Sequence, residues 1–263
     1  MKGRKYFESS IVRQSKISNN QGYTLTNSNN LIEGINLDLF YDELMQGSGN
    51  ELNSKFSALY SSSALAVNNF SIFKQNINSF SFLGYNNFEK ANFERKFPTR
   101  LGGTPPNLDF VLENNNAIIA FESKYLEVLD KKKVDFKESY NQAKLSYLDS
   151  FWFELIDEYK DKELFLDVAQ LIKHSIGLIH HKQGKPNSQV ILVYIYWVPK
   201  NKNAFCEYKS HSIELENFEN QLKKQSDIIF KSMTYSDLWK LYEDNLRFSE
   251  HFEKVKEKYF ISI

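Results

Sequence analysis

Three charged side chains interrupt runs that are otherwise apolar. Residues 105–125 read PPNLDFVLENNNAIIAFESKY. Asp109 sits near the start of one short apolar run, and Glu122 and Lys124 close the next. Side chains alternate between the two faces of a strand, so Glu122 and Lys124, two residues apart, share a face. The Asn-rich stretch at 113–116 predicts a hairpin turn. Antiparallel pairing then sets the start of the first strand beside the end of the second. Counting outward from the turn brings Asp109 beside Glu122–Lys124.

Two acids and a lysine at the end of a buried sheet lose solvation, and something must compensate. A hard divalent cation suits two carboxylates, with water and substrate phosphate completing its octahedron. A neighbouring lysine can hold the scissile phosphate or the attacking water. Together these parts describe metal-assisted hydrolysis of a phosphodiester. Glu-x-Lys by itself carries little information, because it recurs at 94–96, 158–160 and 207–209. Only the copy at 122–124 follows a run of four or more apolar residues and an Asp-bearing strand. The alternative for the trio is an ion pair at the surface end of a sheet, worth little in water.

Several elements must position these groups. Residues 1–30 read as weakly structured, polar and rich in Asn and Ser. A short helix is expected at Leu37–Met45, ended by GSGN at 47–50. Phe56, Leu59, Tyr60, Ser63, Ala64, Val67 and Phe70 recur at spacings of three and four and predict a helix over 54–77. Ala91–Phe97 alternates like a strand and is stopped by Pro98. Ala117–Tyr125 is apolar on both faces as far as Phe121, which predicts a central strand covered by helices on both sides. Helical patterns run from about 137 to 182. A strand follows at Val190–Val198, a helix at Glu214–Lys224, a strand at Asp227–Met233 and a helix at Tyr235–Asn245. This alternation predicts an α/β protein with a mixed central β-sheet flanked by helices on both faces. No linker splits the chain. The expected organisation is an N-terminal extension (1–50) and one domain (51–263), with a core at about 54–200 and C-terminal elements over 205–263.

Composition removes several other classes. Lys plus Arg and Asp plus Glu are both 33, so the net charge is zero and indiscriminate polyanion binding is disfavoured. The aromatic content of 15% supplies ample core and excludes a wholly disordered chain. The single cysteine, Cys206, excludes an internal disulfide and a cysteine-rich zinc site. The longest apolar run is nine residues, against the ~20 that a membrane helix needs. The N-terminal MKGRKYFESSIVRQ has basic residues without an apolar stretch behind them. No membrane association and a cytoplasmic location are expected. No Walker loop, Gly-x-Gly-x-x-Gly or Gly-x-Ser-x-Gly pattern occurs. Lys131-Lys132-Lys133 reads either as a phosphate contact or as a solvated turn between Asp130 and Asp135.

Asp109, followed by Glu122-Ser123-Lys124 at the end of the next strand, resembles the motif of the PD-(D/E)xK nuclease superfamily, the restriction-endonuclease-like fold. The likeness in element order covers about residues 54–200. A further similarity, to a bacterial group of putative restriction endonucleases, rests on SSSALAVNNF (61–70), PPNLDFVLE, FESKYLE and AQLIKHSIGL. One position departs from the motif: Leu108 stands where a proline usually precedes the aspartate, and Pro105-Pro106 lie upstream.

The resemblance implies a DNA endonuclease using Mg2+, with Mn2+ as a substitute. Asp109 and Glu122 would hold the metal and Lys124 would assist the water. It also implies a third acid at the metal, for which Glu94 is the candidate (the alternative being a solvated strand residue beside Arg95 and Lys96), and a polar helix residue near the metal water or DNA, for which Gln170 is the candidate. On the helix FLDVAQLIKHSIGLIHH (165–181), Val168, Ile172, Ile176 and Ile179 form one stripe, and Asp167, Gln170, His174, Gly177 and His181 form roughly the opposite one. His174 and His181 read as solvated on that face. A homodimer is compatible with cutting a palindrome. A repair or junction-resolving nuclease of the same fold, or a non-catalytic nucleic-acid-binding protein, are the alternatives.

Overall fold

The computed structural model describes residues 3–15, 22–47 and 51–263. In chain order the elements are α1 (Arg4–Gln14), α2 (Tyr41–Met45), α3 (Glu51–Ser54), α4 (Ser62–Gln75), β1 (Lys90–Lys96), β2 (Asn107–Glu113), β3 (Ala117–Lys124), β4 (Lys132–Lys133), α5 (Ser150–Tyr159), β5 (Glu163–Leu164), α6 (Val168–Lys182), β6 (Gln189–Tyr196), α7 (Cys206–Leu222), β7 (Ile229–Thr234), α8 (Tyr235–Leu241) and α9 (Ser249–Tyr259). Five strands form one sheet in the order β1-β2-β3-β6-β7, and β4 and β5 form a separate two-stranded ribbon. The first three strands are antiparallel neighbours; β3, β6 and β7 run parallel. The sheet is therefore mixed, as the alternation of elements predicts.

Strand β3 occupies the centre, and all eight of its residues are buried. Its alternating side chains feed two cores. Ile119 and Phe121 join Phe70 of α4 and Phe110 of β2, where the Phe70 and Phe110 rings stack 4.8 Å apart. Ile118 and Ala120 face the other way, toward Trp152, Leu171, Ile172 and Leu192. Each fully buried Ile or Phe contributes about 1.5–3 kcal/mol over an exposed one. A one-residue slip of β3 would exchange its two faces and forfeit much of this, so packing fixes the register. The hairpin turn adds a second constraint: Asn114 Oδ1 accepts from the N–H groups of Asn116 and Ala117, an Asx turn.

Several helices differ from the periodicity reading. Residues 1–30 are not uniformly irregular, because α1 buries Phe7 and Ile11 in the core; residues 16–21 lie outside the described ones. The short helix expected at 37–45 is a 3-10 turn at Leu37–Leu39 followed by α2. Of GSGN, only Gly47 is among the described residues. Helix α4 starts at Ser62 and not at 54, because Ser61 Oγ accepts from Ala64 N and caps it there. The 137–182 region divides at Lys160 into α5 and α6, and residues 137–149 are irregular. Helix α7 starts eight residues before the expected Glu214. Helix α9 went unanticipated, because Phe252, Val255 and Tyr259 are separated by charged residues that mask the stripe. Among the described residues no helix is long and apolar enough to cross a membrane.

Candidate active site

The hairpin register joins the predicted trio. The antiparallel ladder of β2 and β3 ends at the pair Phe110–Phe121, and Asp109 and Glu122 are the next residues beyond it on the two strands, close enough for the charge of one to act on the other. Asp109 Oδ2 also accepts a hydrogen bond from Ser123 N, 2.6 Å away, which ties its carboxylate to the end of β3. Ser123 itself points to the other face, where its Oγ lies 2.6 Å from Tyr235 Oη of α8. The end of β3 is thus anchored on one side and charged on the other.

Lys124 Nζ donates to Glu122 Oε1 at 2.5 Å and to Gln170 Oε1 at 2.7 Å. The Gln170 side chain arrives from the first turn of α6. That turn is capped by Asp167, whose Oδ1 accepts from Gln170 N at 3.0 Å while Oδ2 accepts from Lys132 Nζ at 2.9 Å. Lys132 therefore sits at the rim of the site, and Lys133 pairs with Asp161 instead. Four of the sequence-derived residues, Asp109, Glu122, Lys124 and Gln170, converge.

Glu94 stands across the β1–β2 ladder from Asp109, between the pairs Phe93–Phe110 and Arg95–Leu108. Its backbone is left-handed (φ 53°), a conformation that is strained for glutamate and of the kind that clusters at active sites. Its carboxylate accepts from Asn107 Nδ2 and packs beside Gly47, where an added β-carbon would lie 2.8 Å from Oε2. Glu94 acts on Asp109 through charge.

His174 is 2% exposed, not solvated as its helix face suggested. Its Nε2 lies 2.9 Å from Glu122 Oε2. The contact is close, yet neither ring nitrogen of His174 makes a well-formed hydrogen bond among the described residues. The signal for it in the sequence was its i,i+4 relation to Gln170. Gly177, one turn further on, makes the approach of α6 possible: a β-carbon there would meet Phe97 O at 2.4 Å. His181 is half-buried, near Arg95 and edge-on to Phe97.

Electrostatics separate the two carboxylates. Burial raises the Asp109 pKa well above the usual aspartate range, and the anions Glu122 and Glu94 raise it further. Lys124 and the Ser123 N–H oppose this without prevailing. Burial would also raise Glu122, but there Lys124 and His174 win and hold it at about 2. Burial would lower Lys124; Glu122, Glu127 and Asp109 outweigh it, so the ammonium stays charged. Glu122 and Glu94 both oppose ionisation of Asp109 at this end of the sheet, a repulsion that one divalent cation would relieve. Among the described residues no three His, Cys, Asp or Glu side chains form a ready-made ligand set. Magnesium does not need one, since it usually binds one or two carboxylates and takes water and substrate phosphate for the rest. The donors present fit such an ion.

A five-stranded mixed sheet covered by helices on both faces, with this charged cluster at the β2–β3 end, has the restriction-endonuclease-like α/β architecture. The chain belongs to the family described as "Restriction Endonuclease associating with ARP" (REase-ARP), whose family model matches residues 11–260. No curated protein and no solved structure matches it significantly.

Proposed function

We propose that the chain is a metal-dependent DNA endonuclease of the PD-(D/E)xK type that hydrolyses phosphodiester bonds. The family description supports a restriction-endonuclease context and, with it, a DNA substrate. The observation that carries the reading is the Asp109 carboxylate hydrogen-bonded to Ser123 N at the end of β3, next to Glu122, with Lys124 fixed between Glu122 and Gln170.

Asp109 and Glu122 would hold one Mg2+, and Glu94 would add negative charge behind Asp109. When bound, such an ion polarises a phosphoryl oxygen and lowers the pKa of water. The chain's own groups do the rest. Glu122 stays ionised, because Lys124 and His174 stabilise its charge. Lys124 stays an ammonium, so it cannot take a proton; it orients the attacking water and stabilises charge on the phosphate. Gln170 accepts one Lys124 N–H and keeps the ammonium aimed. Burial of Glu122 and Lys124 strengthens these interactions relative to open water.

The test is incubation of the full chain with plasmid, linear duplex, branched DNA, single-stranded DNA and RNA, each with Mg2+ and with excess EDTA. Cleavage of a DNA arm in Mg2+ alone is expected. Cleavage that persists in EDTA removes the metal from the mechanism, and preferential cleavage of RNA or of junctions reassigns the substrate.

A further inference from the structure

Helix α6 reaches both members of the buried ion pair from adjacent turns. Gln170 takes Lys124, and His174, four residues on, faces Glu122. The two Glu122 oxygens are thereby divided: Oε1 accepts from Lys124, and Oε2 faces His174 Nε2. Both ring nitrogens are buried without a well-formed hydrogen bond among the described residues, and Nε2 has only its close approach to Glu122. An idle buried polar atom is destabilising, a cost that an apolar side chain of similar volume would not incur. A histidine held there regardless points to a task at the carboxylate it faces. The helix also comes close at this level for an identifiable reason, since Gly177 on the same stripe passes against the Phe97 carbonyl.

We propose that His174 is a positioning residue, which fixes the rotation of the Glu122 carboxylate so that Oε2 is presented to the divalent cation while Lys124 keeps Oε1. An ionised carboxylate has about four lone-pair sites, so Oε2 can face His174 and a cation at once. The proposal rests on the metal reading above and deepens it by naming what orients the ligand. Groups that hold a ligating side chain in this way typically change metal affinity or activity by about 10–100-fold when removed.

The experiment is titration calorimetry of Mn2+ into the full chain without DNA, for wild type, His174→Gln and His174→Asn, with thermal melting as the folding control. Glutamine places an amide N–H close to where Nε2 lies, whereas asparagine reaches only to the level of Nδ1. His174→Gln is expected to bind Mn2+ nearly as wild type does, and His174→Asn about 10–100-fold more weakly. A purely structural histidine would shift the melting temperature and leave Mn2+ affinity alone. Equal affinity of all three proteins, or a His174→Gln variant as weak as His174→Asn, overturns the proposal while the metal reading stands. If wild type binds no Mn2+, the metal reading falls and this inference falls with it. Should His174→Asn fail to fold, His174→Met takes its place as the variant without the donor: weaker Mn2+ binding than His174→Gln supports the role, and equal affinity overturns it.

Discussion

Replacing Asp109 by asparagine should stabilise the protein and silence it. Asp109 is tied by Ser123 N to the end of β3, and its ionisation is opposed by burial, Glu122 and Glu94. Cross-strand neighbours are separated by about 5 Å, and at an effective dielectric of ~20 two like charges at that distance repel by about 3 kcal/mol. Lys124 offsets much of this, and Glu94 adds to it. The amide also weakens the bond from Ser123 N by about 1 kcal/mol, because a charged acceptor becomes neutral. The net gain for Asp109→Asn is about 1–2 kcal/mol without divalent metal, or ~2–8 °C in melting temperature for a chain of this size. The pH dependence has a definite sign. A folded-state pKa above the ordinary value means that the folded protein retains a proton the unfolded chain has lost. Stability from this group therefore declines as pH rises from the ordinary aspartate range to the raised value. The advantage of the variant grows through that window and is absent below it. Divalent metal reverses the order: at 100 times its dissociation constant it stabilises wild type by about 2.7 kcal/mol and should leave the variant nearly unmoved. Melting by circular dichroism with EDTA, then with Mg2+, beside plasmid nicking, reads all three effects. A variant that melts below wild type in EDTA at neutral pH, or that keeps the wild-type Mg2+ shift, would refute this reasoning.

Lys124→Met keeps the stem of the side chain but leaves Glu122 with His174 alone and Gln170 Oε1 without its donor. Removing one partner of a buried pair costs about 3–5 kcal/mol, so both activity and melting temperature should fall, by ~6–20 °C for the latter. Gly177→Ala drives a methyl group against the Phe97 carbonyl, a backbone atom that cannot step aside; a loss of about 1–3 kcal/mol is expected in urea unfolding, together with reduced cleavage as Gln170 and His174 withdraw. In acid, Glu122 and Glu113 act in the same direction. Burial would raise Glu113, but Lys185 and Arg95 hold it at about 2, as Lys124 and His174 hold Glu122. Their contribution is complete above the ordinary value of 4.5 and is lost as pH falls from there toward about 2. Arg95→Met should remove part of that loss, measured as a shallower fall of unfolding free energy between pH 4.5 and 2.5.

The parts legible in the sequence were those in which a local pattern and a tertiary constraint coincide. AIIAF and VILVYIY are apolar on both faces because both faces are covered, so the run itself reports the central position of β3 and β6. The meeting of Asp109 with the end of β3 followed from counting away from a turn whose Asn114 side chain fixes the hairpin. His174 was misread because a polar residue opposite an apolar stripe ordinarily faces water. Here that second face of α6 is covered by the charged end of the sheet, and a hydrophobicity pattern cannot distinguish burial against Glu122 from exposure. Gly177 carried a hint, since a mid-helix glycine weakens a helix and so requires a packing reason. The identity of its neighbour, Phe97, some 80 residues away in sequence, could not be read locally. The contact of Ser123 with Asp109 is a backbone one, its N–H donating to the carboxylate, and no residue type encodes it. Helix α1 was missed because Phe7 and Ile11 sit among basic and polar residues, and its stability comes from docking on the core more than from its own periodicity.

The grip of two carboxylates on one hard ion is tested most directly by diffraction from crystals of the full chain soaked in Mn2+, with anomalous differences recorded at the manganese edge. A single strong peak bridging the carboxylates of Asp109 and Glu122, absent in the Asp109→Asn variant, is the predicted result. A peak held elsewhere in the fold, or none between those two side chains at saturating Mn2+, would contradict it.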